Sequence, residues 1–198
     1  MSTAIHAEKP TTVFAIASNL MAAGLVAGLI LATINHFTQP IRERNEALMK
    51  EQARKDVLPA AASFIEIEGK AEWFRGVDAQ GKTVGFVLPV TTRGYEGHIE
   101  MLLGVDASLA ITDFRLIKHR ETPGLGAKAV EDDFRARFKG RHVGELEVSK
   151  NPDPKKVLAI TGATITSRAI ANAFDAQMKQ LATVVASLAK ETKETPHE

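Results

Sequence analysis

The most constraining feature of this 198-residue chain is an uncharged apolar run close to its N-terminus. From Val13 to Ile34 it reads VFAIASNLMAAGLVAGLILATI, where only one serine, one asparagine and one threonine are polar. As a helix rising about 1.5 Å per residue, such a run spans the roughly 30 Å hydrocarbon core of a bilayer. A cleaved signal peptide, the main alternative, has an apolar region of only about 7–15 residues and a small-residue cleavage site. The run therefore predicts an uncleaved transmembrane anchor over residues 13–34, behind a short tail of residues 1–12.

The basic residues that flank this run favour a cytoplasmic location for the rest of the chain. Lys9 precedes the run, whereas Arg42, Arg44 and Lys50 follow it closely. The positive-inside rule keeps the flank that is richer in lysine and arginine in the cytoplasm, although long translocated domains follow the rule poorly. Composition therefore leaves the side of the membrane open.

The overall composition excludes several functional classes. The chain has 25 basic and 24 acidic residues, and its formal net charge of +1 gives no reason to expect a nucleic-acid partner. It has no cysteine, which excludes disulfides and cysteine-held zinc or iron–sulfur centres within the chain. No two of the six histidines are three or four residues apart, so we expect no metal site. We also assign no catalytic residue, because no convincing nucleophile elbow or pair of carboxylates occurs.

Beyond the anchor the sequence predicts an α+β domain. Pro40 ends the apolar pattern of the anchor, and a charged amphipathic helix is expected to connect anchor and domain over residues 35–60. The domain is expected to occupy residues 61–190, and residues 191–198 form a polar tail.

Strand signals come before helix signals within this domain, which is typical of an antiparallel sheet followed by helices. Short alternating or β-branched runs, separated by turn signals, predict five strands. Two segments with apolar residues at helical spacing follow, and Val130, Phe134 and Phe138 are expected to form the buried face of the first. The predicted strands are Ser63–Glu68, Ala71–Val77, Thr83–Val90, His98–Val105 and Ala110–Lys118; the predicted helices are Lys128–Lys139 and Ser167 to about Lys190.

The segment ITGATITS carries more hydroxyl groups than one helix cap needs. Gly162 permits an unusual turn or a close backbone approach, and the N-terminus of the following helix favours an anion. Thr164 or Thr166 could therefore hydrogen-bond a phosphate group or be esterified by it, with an overbuilt helix cap as the alternative. The four hydroxyl groups belong to Thr161, Thr164, Thr166 and Ser167.

Two further glycine-rich segments could contribute to a binding site. HRETPGLG, residues 119–126, permits a turn that presents backbone N–H groups to an anion or to the polar edge of a ring. Its Glu121 and His119 are ordinarily solvated loop residues, with a proton-transfer role as the alternative. In RGYEGHI, residues 93–99, two glycines flank Tyr95, which could mark a hairpin corner or stack on a planar ligand.

In this order behind an N-terminal anchor, RGYEGHI, HRETPGLGAK and ITGATITSRAI resemble the FMN-binding domain family of ion-pumping respiratory complexes. The family includes subunits of Rnf-type complexes and of Na⁺-translocating NADH:quinone reductases, and the resemblance extends from the anchor to the last helix. It implies a membrane-anchored electron-transfer subunit, not catalytic by itself, of a complex that couples ferredoxin:NAD⁺ electron transfer to H⁺ or Na⁺ translocation. A membrane-tethered FMN-binding sensor and a flavin-free scaffold are the alternatives.

The resemblance also implies a cofactor, its site and its partners. FMN is expected as a phosphoester of Thr164, the threonine that closes TGAT, attached by a separate flavin transferase. The other expected partners are Rnf-type membrane subunits, including a second flavin-carrying one. The expected location is the bacterial inner membrane, with a single span and the soluble domain on the periplasmic side. The further expected FMN-binding residues are Thr161, Gly162, Ala163, Thr166 and Ser167 near the phosphate, Thr122, Gly124, Leu125 and Gly126 by the flavin, and Tyr95 in the pocket.

One position departs from the pattern of that family. Its members usually have an aspartate six residues before the modified threonine, and this aspartate is linked to recognition by the transferase. The present chain has Leu158 there. Tolerated variation, an altered residue and a poorly flavinylated member are the open alternatives.

Overall fold

A computed structural model describes residues 13–194 of the chain, and their side chains as far as residue 187. Two compact units make up the chain, Met1–Ala47 and Leu48–Glu198. The predicted N-terminal tail and the last four residues of the predicted polar tail lie outside the described residues.

The N-terminal helix, α1, runs without interruption from Val13 to Val57. It is the only helix within residues 13–194 that is long and apolar enough to cross a membrane. The helix does not stop at Pro40, so the predicted anchor and the connecting segment are one helix and not two. Pro40 removes one backbone donor, but its surroundings are exposed, so water can bond the freed carbonyl. Good helix formers such as arginine, glutamate, alanine and leucine follow, and they favour continuation of the helix.

Five antiparallel strands form one sheet in sequence order. Every predicted strand is present, with ends that differ by no more than three residues. The strands are β1 (Ser63–Glu66), β2 (Phe74–Val77), β3 (Thr83–Arg93), β4 (His98–Asp106) and β5 (Ile111–Lys118). Leu103 at the centre of β4 pairs with Leu88 of β3 and with Phe114 of β5, and all three are fully buried. The alternation of apolar residues therefore predicted both the strands and their buried face, and the α+β fold class is confirmed.

The prediction of a single helix over residues 128–139 is wrong. A 3₁₀ turn (Gly126–Val130) and a short helix, α2 (Asp132–Ala136), take its place. Glu131 between them is extended, with φ −70° and ψ 144°, so the helical spacing is lost there. Phe134 and Phe138 are buried as predicted, but Val130 is 48% exposed because it precedes the break.

The last helix, α3 (Thr164–Glu194), covers one face of the sheet. Two short parallel strands, β6 (Val148–Ser149) and β7 (Val157–Leu158), lead into it. The predicted helical stripe is buried at Ile170, Phe174, Met178 and Leu181 and partly buried at Val185, and the side chain of Leu188 lies outside the described residues. The helix starts three residues before the predicted Ser167, and this shift decides which hydroxyl groups lie in its first turn.

The other face of the sheet packs against the last turns of α1. Val57 and Leu58 are buried there together with Val87 and Leu102. The helix end approaches the sheet closely because Gly104 has no side chain, and a Cβ atom there would collide with the Val57 carbonyl. Two layers thus fix the sheet from both sides, and the cavity described below opens at the start of α3.

Candidate functional site

A cavity of about 610 Å³ lies at the N-terminal end of α3, where the three glycine-rich segments meet. This volume is within the usual range of small-molecule sites, about 300–1,000 Å³. Tyr95 comes from the first segment, Thr122, Leu125 and Gly126 come from the second, and residues 159–166 come from the third. Segments that are far apart in the sequence therefore form one concave surface.

Most of the predicted site residues line this cavity. They are Tyr95, Thr122, Leu125, Gly126, Thr161, Gly162, Ala163, Thr164 and Thr166. Gly124 is not part of the lining; it has φ +77° and open space around it, so it serves the turn. Ser167 is not part of the lining either. Its hydroxyl accepts from the backbone N–H of Ile160 (3.0 Å) and donates to the carbonyl of Ala163 (2.9 Å), and therefore holds the preceding turn against the helix.

The hydroxyl groups of ITGATITS differ sharply in their access to the cavity. Thr161 is exposed and Thr164 is partly buried, whereas Thr166 and Ser167 are fully buried. The Thr166 hydroxyl is also committed to a hydrogen bond with Glu121. Only Thr161 and Thr164 can therefore meet a reagent that enters from solvent, and of these only Thr164 belongs to α3.

A tight turn places Thr164 at the first position of α3. The backbone N–H of Ala163 donates to the carbonyl of Ile160 (2.9 Å), and Gly162 in between has φ +79°, a conformation that favours glycine. The helix that follows starts with backbone N–H groups that have no partner within the helix. Their partial positive charge makes the space beside Thr164 suitable for an anion.

Glu121 links all three segments from inside the cavity wall. It is only 4% exposed. Its Oε1 accepts from the backbone N–H of Glu96 (3.1 Å), and its Oε2 accepts from the Thr166 hydroxyl (2.5 Å). Thr122 adds a further link by donating to Oε1 of Glu96 (2.7 Å). The side chain that we expected to be a solvated loop residue is therefore a buried connector.

Two glycines leave the space that the Glu121 carboxylate occupies. A Cβ atom on Gly94 would collide with Oε1 of Glu121, and one on Gly126 would collide with its Oε2. The Gly126 Cβ would also lie 2.9 Å from Oγ1 of Thr166. A side chain at either position would displace the Glu121 carboxylate from its place between its hydrogen-bond donors.

Apolar side chains stand exposed around the cavity. Tyr95 is 68% exposed, Leu125 is 43% exposed and Ile165 is 59% exposed. Exposed large apolar side chains that share one concave surface are typical of ligand sites. Tyr95 is therefore available as a platform for a planar ring, as its place between two glycines suggested.

Sequence reasoning missed the basic residue of the cavity. Lys150 follows β6 and is the one lysine or arginine among the described lining residues. Arg141 stabilises the loop that follows Lys150. Its guanidinium donates to the carbonyls of Pro154, Lys155 and Lys156 (3.4, 3.1 and 2.9 Å). No spacing of residue types in the sequence predicts this arrangement, because Arg141 makes these contacts to backbone carbonyls and not to side chains. Ala159, Ile160 and Ile165 complete the lining residues that we did not predict.

Leu158, the residue that departs from the expected motif, lies in β7 and is partly buried. Its carbonyl accepts from Nη1 of Arg137 (2.9 Å). It lines a second cavity of about 190 Å³, which shares Ala159, Ile160 and Thr161 with the large one. The segment that leads to TGAT therefore contributes to both cavities.

Known proteins are similar in sequence to most of this chain. A family model described as FMN-binding domain matches residues 94–179, a segment that contains every residue lining the large cavity. The RnfG protein of Clostridium ljungdahlii, part of a proton-translocating ferredoxin:NAD(+) oxidoreductase complex, is 33% identical over 173 residues, which are 87% of this chain and 93% of that protein. The chain belongs to the RnfG family.

A second RnfG-family protein has a similar level of identity. The RnfG protein of Methanosarcina acetivorans, part of an ion-translocating oxidoreductase complex, is 34% identical over 159 residues, or 75% of this chain and 84% of that protein. The crystal structure of NqrC from Shewanella oneidensis aligns with 61% of this chain and 66% of its own, at 24% identity and a TM-score of 0.45. The two RnfG relatives and the family model confirm the predicted family and its FMN-binding domain.

Proposed function

We propose that this RnfG-family chain carries FMN as a phosphoester of Thr164. It would then serve as an electron-transfer subunit of an Rnf-type complex that couples ferredoxin:NAD⁺ electron transfer to H⁺ or Na⁺ translocation. The observation that carries the proposal is the convergence of the three motifs on one cavity inside the segment that matches the FMN-binding domain. The names of the relatives support the complex and the reaction.

The cavity suits the ring system of a flavin. Tyr95, Leu125 and Ile165 offer exposed apolar surface to a flat ring. Aromatic and aliphatic side chains gain about 25 cal/mol for each Å² of apolar surface that a ligand covers. Binding of the ring would therefore shield these three side chains from water.

The start of α3 in this cavity suits a phosphate group. Thr164 is partly exposed in the first turn of α3, where unpaired N–H groups favour a negative charge. Lys150 adds a positive charge to the same cavity, and Thr161 adds an accessible hydroxyl. In this arrangement Thr164 is the acceptor, and the buried Thr166 supports the wall.

Attachment to Thr164 is a group transfer by a separate flavin transferase with FAD as donor. The Thr164 hydroxyl loses its proton and forms a bond to the FMN phosphorus, while the P–O–P bond of FAD breaks and AMP leaves. Leu158 lies six residues before the acceptor, in the strand that leads to it. Replacement of Leu158 by aspartate tests whether the transferase responds to this position.

The chain itself orients and shields the cofactor and contributes no catalytic group. FMN supplies one- and two-electron redox chemistry when bound. The residues of this chain hold its phosphate, cover its ring and fix the charges around it. The chain would therefore act as a redox relay that requires the other subunits for turnover.

Residues 13–34 would anchor this relay in the bacterial inner membrane by a single span. Residues 35–60 would connect the anchor to the FMN-binding domain, residues 61–190, and residues 191–198 would follow as a tail. The domain would face the periplasm, as the family resemblance implies. The basic residues next to the span do not oppose this, because a long translocated domain is less bound by flanking charges. Its partners would be the other Rnf-type subunits, including a second flavin-carrying one.

Purification of the tagged full-length chain in mild detergent tests the assignment to a complex. Co-isolation with several multi-span membrane subunits, and loss of those subunits when residues 13–34 are replaced by a soluble leader, are the expected results. Isolation of the chain alone from cells that express the neighbouring subunits would contradict the complex and favour the sensor or the scaffold.

A further inference from the structure

The wall of the flavin cavity contains a buried carboxylate, that of Glu121, which makes no salt bridge to any residue that the structure describes. We propose that Glu121 sets the reduction potential of the flavin, lowering it by holding one fixed negative charge in the cavity wall. The proposal rests on the proposed function, since it needs a flavin in the cavity. It concerns equilibrium electron uptake and not the attachment reaction.

Both oxygens of the Glu121 carboxylate accept hydrogen bonds from neutral groups. The donors are the backbone N–H of Glu96 (3.1 Å) and the hydroxyl of Thr166 (2.5 Å). No salt bridge of Glu121 occurs among residues 13–187, whereas the other buried carboxylate of the core, that of Asp113, contacts three cationic side chains. Neutral donors solvate a charge without cancelling it, so Glu121 keeps its field.

The Glu121 carboxylate lies close to any ligand that binds in the cavity. Glu121 itself lines this cavity, whose volume is about 610 Å³, so a ring bound there lies near its carboxylate. Reduction adds electrons to the ring, and a neighbouring negative charge opposes that addition. At an effective dielectric constant of about 20, two unit charges about 12 Å apart interact by about 1.4 kcal/mol, which is a tenfold change in an equilibrium constant. A tenfold effect is therefore the conservative expectation.

A substitution at Thr166 distinguishes the electrostatic effect of Glu121 on the flavin from the effect of its structural role in the cavity wall. The Thr166 hydroxyl donates to the carboxylate, and this dipole weakens the field of the carboxylate without removing its charge. Valine has nearly the same shape as threonine, so Thr166→Val removes the donor while the charge stays. A field effect therefore predicts opposite shifts for the two partners, whereas a loosened wall would move both variants in the same direction.

The experiment compares full-length wild type, Glu121→Gln, Thr166→Val and a control, Glu131→Gln. Glu131 is an exposed carboxylate in the second cavity and does not line the first. Each protein is made with the flavin transferase, and the fluorescence of its denatured band establishes that flavin is attached. The flavin is then titrated with dithionite beside a reference dye, and the ratio of reduced to oxidised flavin is read at a fixed solution potential.

Glu121→Gln is expected to raise the ratio of reduced to oxidised flavin about tenfold, which corresponds to about 30 mV for a two-electron couple. Thr166→Val is expected to lower the ratio about threefold, and Glu131→Gln to change it less than about twofold. Shifts of the first two variants in one direction, or no shift in either, would overturn the role of Glu121. If Glu121→Gln does not fold or does not acquire flavin, Thr166→Val alone tests the proposal. A lower ratio of reduced to oxidised flavin in that variant supports it, and an unchanged or higher ratio overturns it. A wild-type protein without attached flavin contradicts the proposed function instead.

Discussion

Thr166 donates a 2.5 Å hydrogen bond to Glu121, a residue 45 positions earlier in the chain. Both side chains are buried, and the bond joins the start of α3 to the HRETPGLG loop. Because Glu121 also accepts from the backbone of Glu96, one carboxylate connects all three motifs of the cavity. A substitution that intrudes on the space of this carboxylate is therefore expected to destabilise the cavity wall.

Gly126→Ala is expected to destabilise the chain by about 2 kcal/mol, because overpacking of a buried site typically costs about 1–3 kcal/mol. The new Cβ atom would collide with Oε2 of Glu121 and lie 2.9 Å from Oγ1 of Thr166. Thermal or denaturant unfolding can be followed by the fluorescence of Trp73, the only tryptophan, which is 4% exposed. Gly97→Ala is the matched control, since its Cβ atom would make only an ordinary 3.6 Å contact. Equal unfolding midpoints for the two variants would contradict the tight packing around Glu121.

Gly104→Ala is expected to weaken the packing of α1 on the sheet, with a loss of about 2 kcal/mol. A Cβ atom there would collide with the Val57 carbonyl and lie 2.6 Å from Oγ1 of Thr112. That carbonyl already accepts a 2.5 Å hydrogen bond from the Thr112 hydroxyl, and a shift of the carbonyl would disturb this bond. Unfolding of the full-length protein measures the effect, with Gly28→Ala, which has open space around it, as the control. Similar stability of both variants would refute the close approach.

Asp113→Ala is expected to cost about 3 kcal/mol, because it leaves the buried guanidinium of Arg135 without its buried partner. The two side chains are 9% and 7% exposed, and Oδ2 of Asp113 lies 3.1 Å from Nη1 of Arg135. Asp132→Ala removes the other carboxylate partner of Arg135, which is 92% exposed, and should cost less than about 1 kcal/mol. Chemical denaturation of the two variants in parallel provides the measurement. A cost for Asp132→Ala as large as that for Asp113→Ala would show that burial does not govern this network.

Asp175 is expected to contribute stability that disappears in acid. A hydrogen bond from the Lys179 ammonium lowers the pKa of Asp175 below its ordinary value of 3.8, and the backbone N–H of Gly144 lowers it further, against the opposing effect of partial burial. Because the folded-state pKa lies below the unfolded one, the stabilisation is complete above about pH 4 and is lost as the pH falls through the folded value. Asp175→Asn should therefore be about 1 kcal/mol less stable than wild type at pH 7, and the difference should shrink at pH 3. Unfolding curves at the two pH values provide the check, and a difference that is independent of pH would count against this linkage.

Local patterns predicted the strands and the last helix because each buries one regular face. Alternating residues such as Leu88 and Val90 read directly as a strand, and Ile170 and Phe174 read as one side of a helix. The same reasoning failed between residues 128 and 139, where the extended backbone of Glu131 interrupts an otherwise helical spacing. A single residue in another conformation is a tertiary effect that periodicity does not report.

The site was predictable where it depends on local turns and hidden where it depends on distant contacts. Tyr95 and the TGAT segment were identified because glycines mark their turns, and both line the cavity. Glu121 was taken for a solvated residue because its partners lie 25 and 45 positions away. Lys150 gave no signal, since contacts between Arg141 and backbone carbonyls position its loop. The start of α3 at Thr164, earlier than predicted, is what separates the accessible hydroxyl groups from the buried ones.

Flavin fluorescence of the denatured full-length protein, resolved on a gel under ultraviolet light, tests the attachment site most directly. In cells that contain the flavin transferase, the wild-type band should fluoresce and the Thr164→Val band should be dark. Thr166→Val should remain fluorescent, because its hydroxyl is buried and bound to Glu121. A dark wild-type band, or fluorescence that persists in Thr164→Val, would contradict covalent FMN at Thr164.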